Sequence, residues 1–158
     1  MQVALNGSFK VRELQLRFKT TRYSSPARIT SPKEVHDFLR PIIKGKPREL
    51  LISLALDASN KVVGFEIVSQ GTADAAFALP REVLKAVLLT NATACILAHN
   101  HPSGNCEPSI EDRDTAKRMS QASAILDIKL LDFMVVTEDS YYSFAQSDSL
   151  ALSKGGDK

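Results

Sequence analysis

The spacing of apolar residues changes several times along this chain, and each change marks an element. Residues 1–27 alternate weakly around "FKVRELQLRFKT", which predicts a strand or two in an N-terminal arm. "TSPKEVHDFLRP" (30–41) then opens a helix, with Ser31 as N-cap, Pro32 at N1 and Glu34 at N3, a capping box. Pro41 is expected to end or kink that helix, because it lacks the N–H that a helix interior needs. "ELLISLALD" (49–57) and "KVVGFEIVSQG" (61–71) are dense, β-rich runs, and the short "ASN" between them reads as a hairpin turn. "LPREVLKAVLLTNA" (79–92) has Pro80 near its start and Val83, Leu84, Val87 and Leu88 on one helical face. "TACILAHNH" (93–101) is a strand, "SIEDRDTAKRMSQASAIL" (109–126) a capped helix, "IKLLDFMVV" (128–136) a strand and "SYYSF" (140–144) a last short one. The pattern predicts an α/β (α+β) fold in which helices flank a mixed, hairpin-containing sheet. The organisation expected is a basic arm (1–27), one domain (28–150) and a disordered tail (151–158) ending "SKGGDK".

The 158 residues suit a single core, and 44% hydrophobic with 24% charged residues is an ordinary globular balance. No apolar run approaches a bilayer span and no signal-peptide core precedes the domain, so the expectation is a cytoplasmic chain without a membrane partner. Cys95 and Cys106 are too few for a disulfide framework and read as free thiols. The net charge of +2 hides an asymmetry. Residues 1–33 carry seven bases against one acid, +6, and the remainder carries 13 bases against 17 acids, −4. That arm can meet nucleic acid, or it can be a solvated terminus; no aromatic-rich basic face accompanies it.

The chemistry concentrates in "ILAHNHPSGNCEPSIEDRD" (96–114). Side chains two apart on a strand share a face, so His99 and His101 point together while Asn100 faces away and ties the loop by side-chain hydrogen bonds. Two adjacent imidazoles repel when charged, and a metal ion resolves this by binding both as neutral ligands. Asp112, eleven positions after His101 in the first turn of a helix, is a third candidate ligand. His, His and Asp leave a fourth tetrahedral position for water, which is the pattern of a catalytic zinc site. The N/O donor set suits Zn²⁺ but also admits Fe²⁺ or Mn²⁺. Ser109 with Asp112 is equally an S-x-x-D capping box, so Asp112 can instead be holding a helix start. His36, on an amphipathic helix with no other candidate ligand near it in sequence, reads as structural.

The spacing His99-x-His101-Pro102, then Ser109 and Asp112, resembles the JAMM (JAB, MPN+) metalloprotease motif. "SQGT" (69–72), "PREV" (80–83), "HNHPSG" (99–104), "PSIED" (108–112) and "YYSF" (141–144) are similar to its RadC-type branch, over roughly residues 28–150. The resemblance implies a cytidine-deaminase-like JAB/MPN architecture, a zinc ion on His99, His101 and Asp112, Ser109 near the oxyanion, and Glu49 of "PRELLIS" as the motif's upstream glutamate. Two departures stand out. Asp132-Phe133 replaces the Asp-His that such chains often have, and residues 1–27 show no helix-hairpin-helix pattern.

What the resemblance implies chemically is hydrolysis of an amide or isopeptide bond in a peptide substrate. Zinc acidifies water, a carboxylate takes the proton to the leaving amine, and Ser109 helps stabilise the oxyanion. Glu66 competes with Glu49 for the role of base. If the hairpin pairs residue 52 with 66, Glu49 and Glu66 point to opposite faces, and family position favours Glu49. The rival readings are a metal-dependent nuclease or DNA-associated protein, supported by the basic arm, and a non-enzymatic metal-binding interaction module. A zinc deaminase is disfavoured because P-C-x-x-C is missing.

Overall fold

A computed structural model describes residues 17–20, 28–71 and 78–147; of the arm predicted over 1–27 only residues 17–20 are described, and they form no strand, while the rest of the arm and the tail lie outside the described residues. The elements run α1 (Pro32–Ile43), β1 (Glu49–Leu56), β2 (Val62–Gly71), α2 (Pro80–Val83), α3 (Lys85–Leu89), β3 (Ala94–Asn100), α4 (Ile110–Ile125), β4 (Lys129–Val136) and β5 (Tyr141–Ser143). The five strands form one sheet in the order β2-β1-β3-β4-β5. β3 and β4 are parallel, joined by the α4 crossover, and the other neighbours are antiparallel. The architecture is therefore the mixed α+β sheet that the pattern predicts. Among the described residues no helix is long and apolar enough to cross a membrane.

Alternation along the strands divides the interior in two. Leu51, Ala55, Cys95, Leu97, Phe133 and Val135 face α2, α3 and α4, together with Val83, Val87, Ala116 and Met119. Leu50, Ile52, Leu54, Ile96, Ala98, Met134 and Val136 face α1, meeting Val35, Phe38, Leu39, Ile42 and Ile43. β1 and β3 are covered on both faces, which is why they read as continuous apolar runs rather than alternating ones.

Three features differ from the sequence reading. Helix α1 has the expected capping box on Ser31 and Glu34, but it continues two residues past Pro41. The Lys44 amide still donates to the Arg40 carbonyl at 3.0 Å, and burial of Ile42 and Ile43 holds the last turn in place. The helix expected over 79–92 is divided at Leu84 into α2 and α3. Leu84 stays in the right-handed helical region at φ −88°, ψ −7°, fully buried between two short turns, so packing of Val83, Leu84 and Val87 takes precedence over helix regularity.

The third difference is the hairpin register. Leu56 pairs with Val62, the predicted register, through a three-residue turn with Asn60 left-handed at φ 60°. Two bulges in β2 then shift it, at Val63 and at Val68. Glu66 consequently lies opposite Ser53 and not Ile52, and it shares the face of Glu49. The expectation that the two glutamates point apart is thus corrected: alternation alone cannot register a strand that carries an extra residue.

Phe133, where an Asp-His pair would put an imidazole, is 1% exposed and packs edge-on against Phe144, with ring centroids 5.3 Å apart. Phe133→Ala should cost about 3–5 kcal/mol of unfolding free energy. Urea titration of the purified chain checks this, and a loss under about 1 kcal/mol would contradict the packing described.

Candidate functional site

Ligands of open α/β sheets collect beyond the carboxyl ends of parallel strands, and β3 and β4 end side by side at Asn100 and Val136. His99 is the penultimate residue of β3, paired with Leu51 of β1. His101 follows the strand, its amide donating to the Val136 carbonyl at 2.9 Å. Their rings meet edge to face, with centroids 4.9 Å apart. Gly104 turns the chain back with φ +83°, a conformation that suits glycine. The Asn105 carbonyl then accepts from His101 Nδ1–H at 2.9 Å. Asn105 Oδ1 takes the Glu107 amide, and the chain enters α4 at Ser109.

Asp112 does both things that its sequence context allowed. It completes the capping box of α4: its amide donates to Ser109 Oγ at 3.0 Å, and its Oδ2 accepts from the Ser109 amide at 2.9 Å and from Ser109 Oγ–H at 2.7 Å. Its other oxygen, Oδ1, lies 2.8 Å from His99 Nδ1. Burial at 3% exposure works against a charged carboxylate, but the donors of His101, His99 and Ser109 outweigh it and hold the Asp112 carboxyl well below its usual range. The same carboxylate, against the opposing effect of burial, raises the His101 pKa above its ordinary value, helped by the Asn105 carbonyl.

These bonds settle the histidine tautomers. An ionised Asp112 can only accept, so His99 carries its proton on Nδ1; a carbonyl can only accept, so His101 does the same. With both rings neutral each Nε2 carries a lone pair, and protonation of His101 puts its second proton on Nε2, facing Asp112 Oδ2. His99 Nε2 is buried and has no hydrogen-bond partner; its nearest polar neighbour is Glu49 Oε2 at 3.5 Å. His101 Nε2 is 3.5 Å from Asp112 Oδ2. One ligand atom each from Glu49, His99 and His101 lies within 4.8 Å of the others, a group that could hold a metal ion. Two imidazole nitrogens oriented by acceptors behind them, with carboxylates on either side, fit a borderline divalent cation.

The structure therefore brings Glu49, His99, His101, Ser109 and Asp112 to one place, and it leaves Glu66 out. Glu66 sits four residues along β1's pairing from Glu49, roughly 13 Å at strand rise, and it pairs with Lys85 at 3.4 Å. The one Ser109 hydroxyl proton is directed at Asp112 Oδ2, so reaching an oxyanion requires giving up that bond. His36 is structural, bonded to the Thr137 carbonyl at 2.9 Å. Sequence reasoning missed the Asn105 carbonyl, because every residue has one; only the turn at Gly104 hinted at it.

A mixed α+β sheet with this histidine–carboxylate cluster at the end of its parallel strands defines a JAB/MPN-type domain of the JAMM superfamily. More narrowly, the model of the RadC-like JAB domain matches residues 29–150, and the chain belongs to that family. Over 136 residues it is 40% identical to a UPF0758 protein of Pseudomonas fluorescens (strain SBW25) and 42% identical to one of Vibrio atlanticus (strain LGP32). Each alignment covers 86% of this chain and 61% of the relative, so the chain spans about three fifths of the length of the curated relatives it matches.

In chelator-treated protein His101 should titrate above the ordinary histidine value of about 6.5, and Asp112→Asn should lower it. Histidine ring NMR shifts against pH check this. The lowered Asp112 pKa stabilises the fold above the unfolded value of about 3.9, and that contribution is lost as pH falls below it. The raised His101 pKa acts in the opposite sense, stabilising below about 6.5 and fading as pH rises through its folded value. Denaturation midpoints measured across pH should therefore fall at the acid end in wild type and flatten there in Asp112→Asn.

Proposed function

We propose that this domain is a zinc-dependent hydrolase of the JAMM type, cleaving an amide or isopeptide bond in a peptide substrate. The observation that carries this reading is the pair of Nε2 atoms freed by the Asp112 and Asn105 acceptors, one of them buried without a partner. His99, His101 and Asp112 would hold the ion: Asp112 Oδ2 lies 3.5 Å from His101 Nε2, and Oδ1 2.8 Å from His99 Nδ1. A zinc ion bound there supplies an acidified water and an electrophile for a substrate carbonyl. Glu49 is the base: partly exposed at the start of β1, its carboxylate takes the proton from the attacking water and returns it to the leaving amine. Ser109 fixes Asp112 through its hydroxyl and amide.

The distances also favour a second assignment of the carboxylates. Glu49 is the acid grouped within 4.8 Å of both imidazoles, which would make it the third ligand and leave Asp112 as the group that orients His99. The two assignments separate cleanly in one experiment. With Glu49 as base, Glu49→Gln retains zinc at one per chain and loses about 10²–10⁴-fold in turnover, whereas Asp112→Asn and His101→Ala lose the metal. Loss of zinc in Glu49→Gln alone would reverse the carboxylate roles. Metal analysis of each variant, with turnover on a panel of peptide and isopeptide substrates, decides between them. Plasmid cleavage that disappears in His101→Ala, with no amide hydrolysed, would replace this reading with a nuclease. Stoichiometric zinc without any hydrolysis would favour an interaction module.

A further inference from the structure

The β1–β3 ladder has its last residue pair at Leu51 and His99, two residues short of Glu49. On its other side Glu49 pairs with Gly71 of β2; toward β3, where the ladder has stopped, the backbone flanking it meets the side chain of Asn100. Asn100 is 3% exposed and faces away from the histidines, toward α1. Its Oδ1 accepts from the Leu50 amide at 2.6 Å, and its Nδ2 donates to the Arg48 carbonyl at 3.4 Å. These two backbone groups stand on either side of Glu49. The carboxamide orientation is fixed by chemistry, since an amide N–H needs the oxygen and a carbonyl needs the nitrogen. The side chain thus replaces the backbone pairing that the ladder lacks at this point.

We propose that Asn100 is a positioning residue: its carboxamide, bonded to the backbone on both sides of Glu49, holds the Glu49 carboxylate against the histidine pair. A single residue thereby sets two spacings at once, since its own backbone separates His99 from His101 while its side chain anchors β1. Neither aspartate nor alanine reproduces both bonds. Aspartate keeps an acceptor for the Leu50 amide and loses the donor to Arg48; alanine loses both. This inference rests on Glu49 acting as the base at a metal centre.

The test uses the full chain loaded with Co²⁺, as wild type, Asn100→Ala, Asn100→Asp, Glu49→Gln and the Asn100→Ala/Glu49→Gln double variant. Three readouts are independent of substrate: Leu50 amide exchange, the cobalt absorption spectrum, and the cobalt-induced shift of the ¹³C-labelled Glu49 carboxylate. Asn100→Ala should speed Leu50 exchange at least tenfold and change the Glu49 shift, while cobalt stays at one per chain with an unaltered spectrum. Asn100→Asp should restore most of the Leu50 protection, which keeps the test decisive if the alanine variant folds poorly. On a hydrolysed substrate, Asn100→Ala should lower kcat 10- to 100-fold with KM unchanged, and the double variant should be no slower than Glu49→Gln alone. Unchanged Leu50 exchange, an unmoved Glu49 shift, or a double variant slower by the full Asn100→Ala factor would overturn the proposal. Absence of hydrolysis in wild type, or loss of cobalt in Glu49→Gln, counts against the reading of Glu49 as base; the exchange and shift measurements still decide what Asn100 does.

Discussion

The rest of the site depends on one buried carboxylate. Asp112 is removed from solvent at the first turn of α4, where an unpaired charge would be strongly unfavourable. It is retained because the Ser109 amide, the Ser109 hydroxyl and His99 Nδ1 all donate to it, and because it sits at the positive end of a sixteen-residue helix. The stabilisation of the helix start and the orientation of the histidine are therefore one set of bonds. α4 cannot shift relative to β3 without breaking the contact that fixes the His99 tautomer, and the imidazole cannot turn without leaving the carboxylate short of a donor.

That coupling explains how a loop of mostly small and turn-forming residues holds a defined geometry. Between His101 and Ser109 the chain is shaped by Gly104's turn, an Asx turn at Asn105, the Ser103 hydroxyl and two prolines. Both ends, however, are anchored by elements packed into the core: β3 is buried along its whole length, and Thr115, Ala116 and Met119 bury the inner face of α4. The loop spans a fixed gap, and the Asn105 carbonyl lands on His101 Nδ1 as a result. With Asp112 behind one ring and Asn105 behind the other, the two outward nitrogens are Nε2 in both, so the pair presents like atoms to the same space.

How much of this was legible in the sequence depends on whether a feature is local. The capping boxes at Ser31 and Ser109 were readable because a cap is written in four consecutive residues. The shared direction of His99 and His101 followed from strand period alone. The register of β2 was not readable: its two extra residues, Val63 and Val68, are apolar and β-branched like their neighbours, and nothing in the local chemistry marks them as bulged. The continuation of α1 past Pro41 was equally hidden, because what holds it is burial of Ile42 and Ile43 against strands far away in sequence. At the site, side chains announced themselves and backbone groups did not. The Asn105 carbonyl and the Leu50 amide take part through position, which only the fold assigns. Asn100 was expected to tie its own loop by hydrogen bonds, yet its partners lie about fifty residues away, at Arg48 and Leu50 around the start of β1.

The bulged register has a consequence for charge. With Glu66 on the same face as Glu49, orientation no longer separates the two acids, so the separation must come from their surroundings. Glu66 faces Lys85 on α3, and its charge is met by an ammonium that also reaches Glu82. Among the described residues no lysine or arginine pairs with Glu49; its neighbour is the His99 Nε2 atom at 3.5 Å. The Glu66 carboxylate is engaged by a lysine, whereas Glu49 faces an imidazole nitrogen within a group that could hold a cation. The sheet thus presents two glutamates to one side and puts only one of them beside the histidine pair, the one whose two backbone neighbours Asn100 bonds.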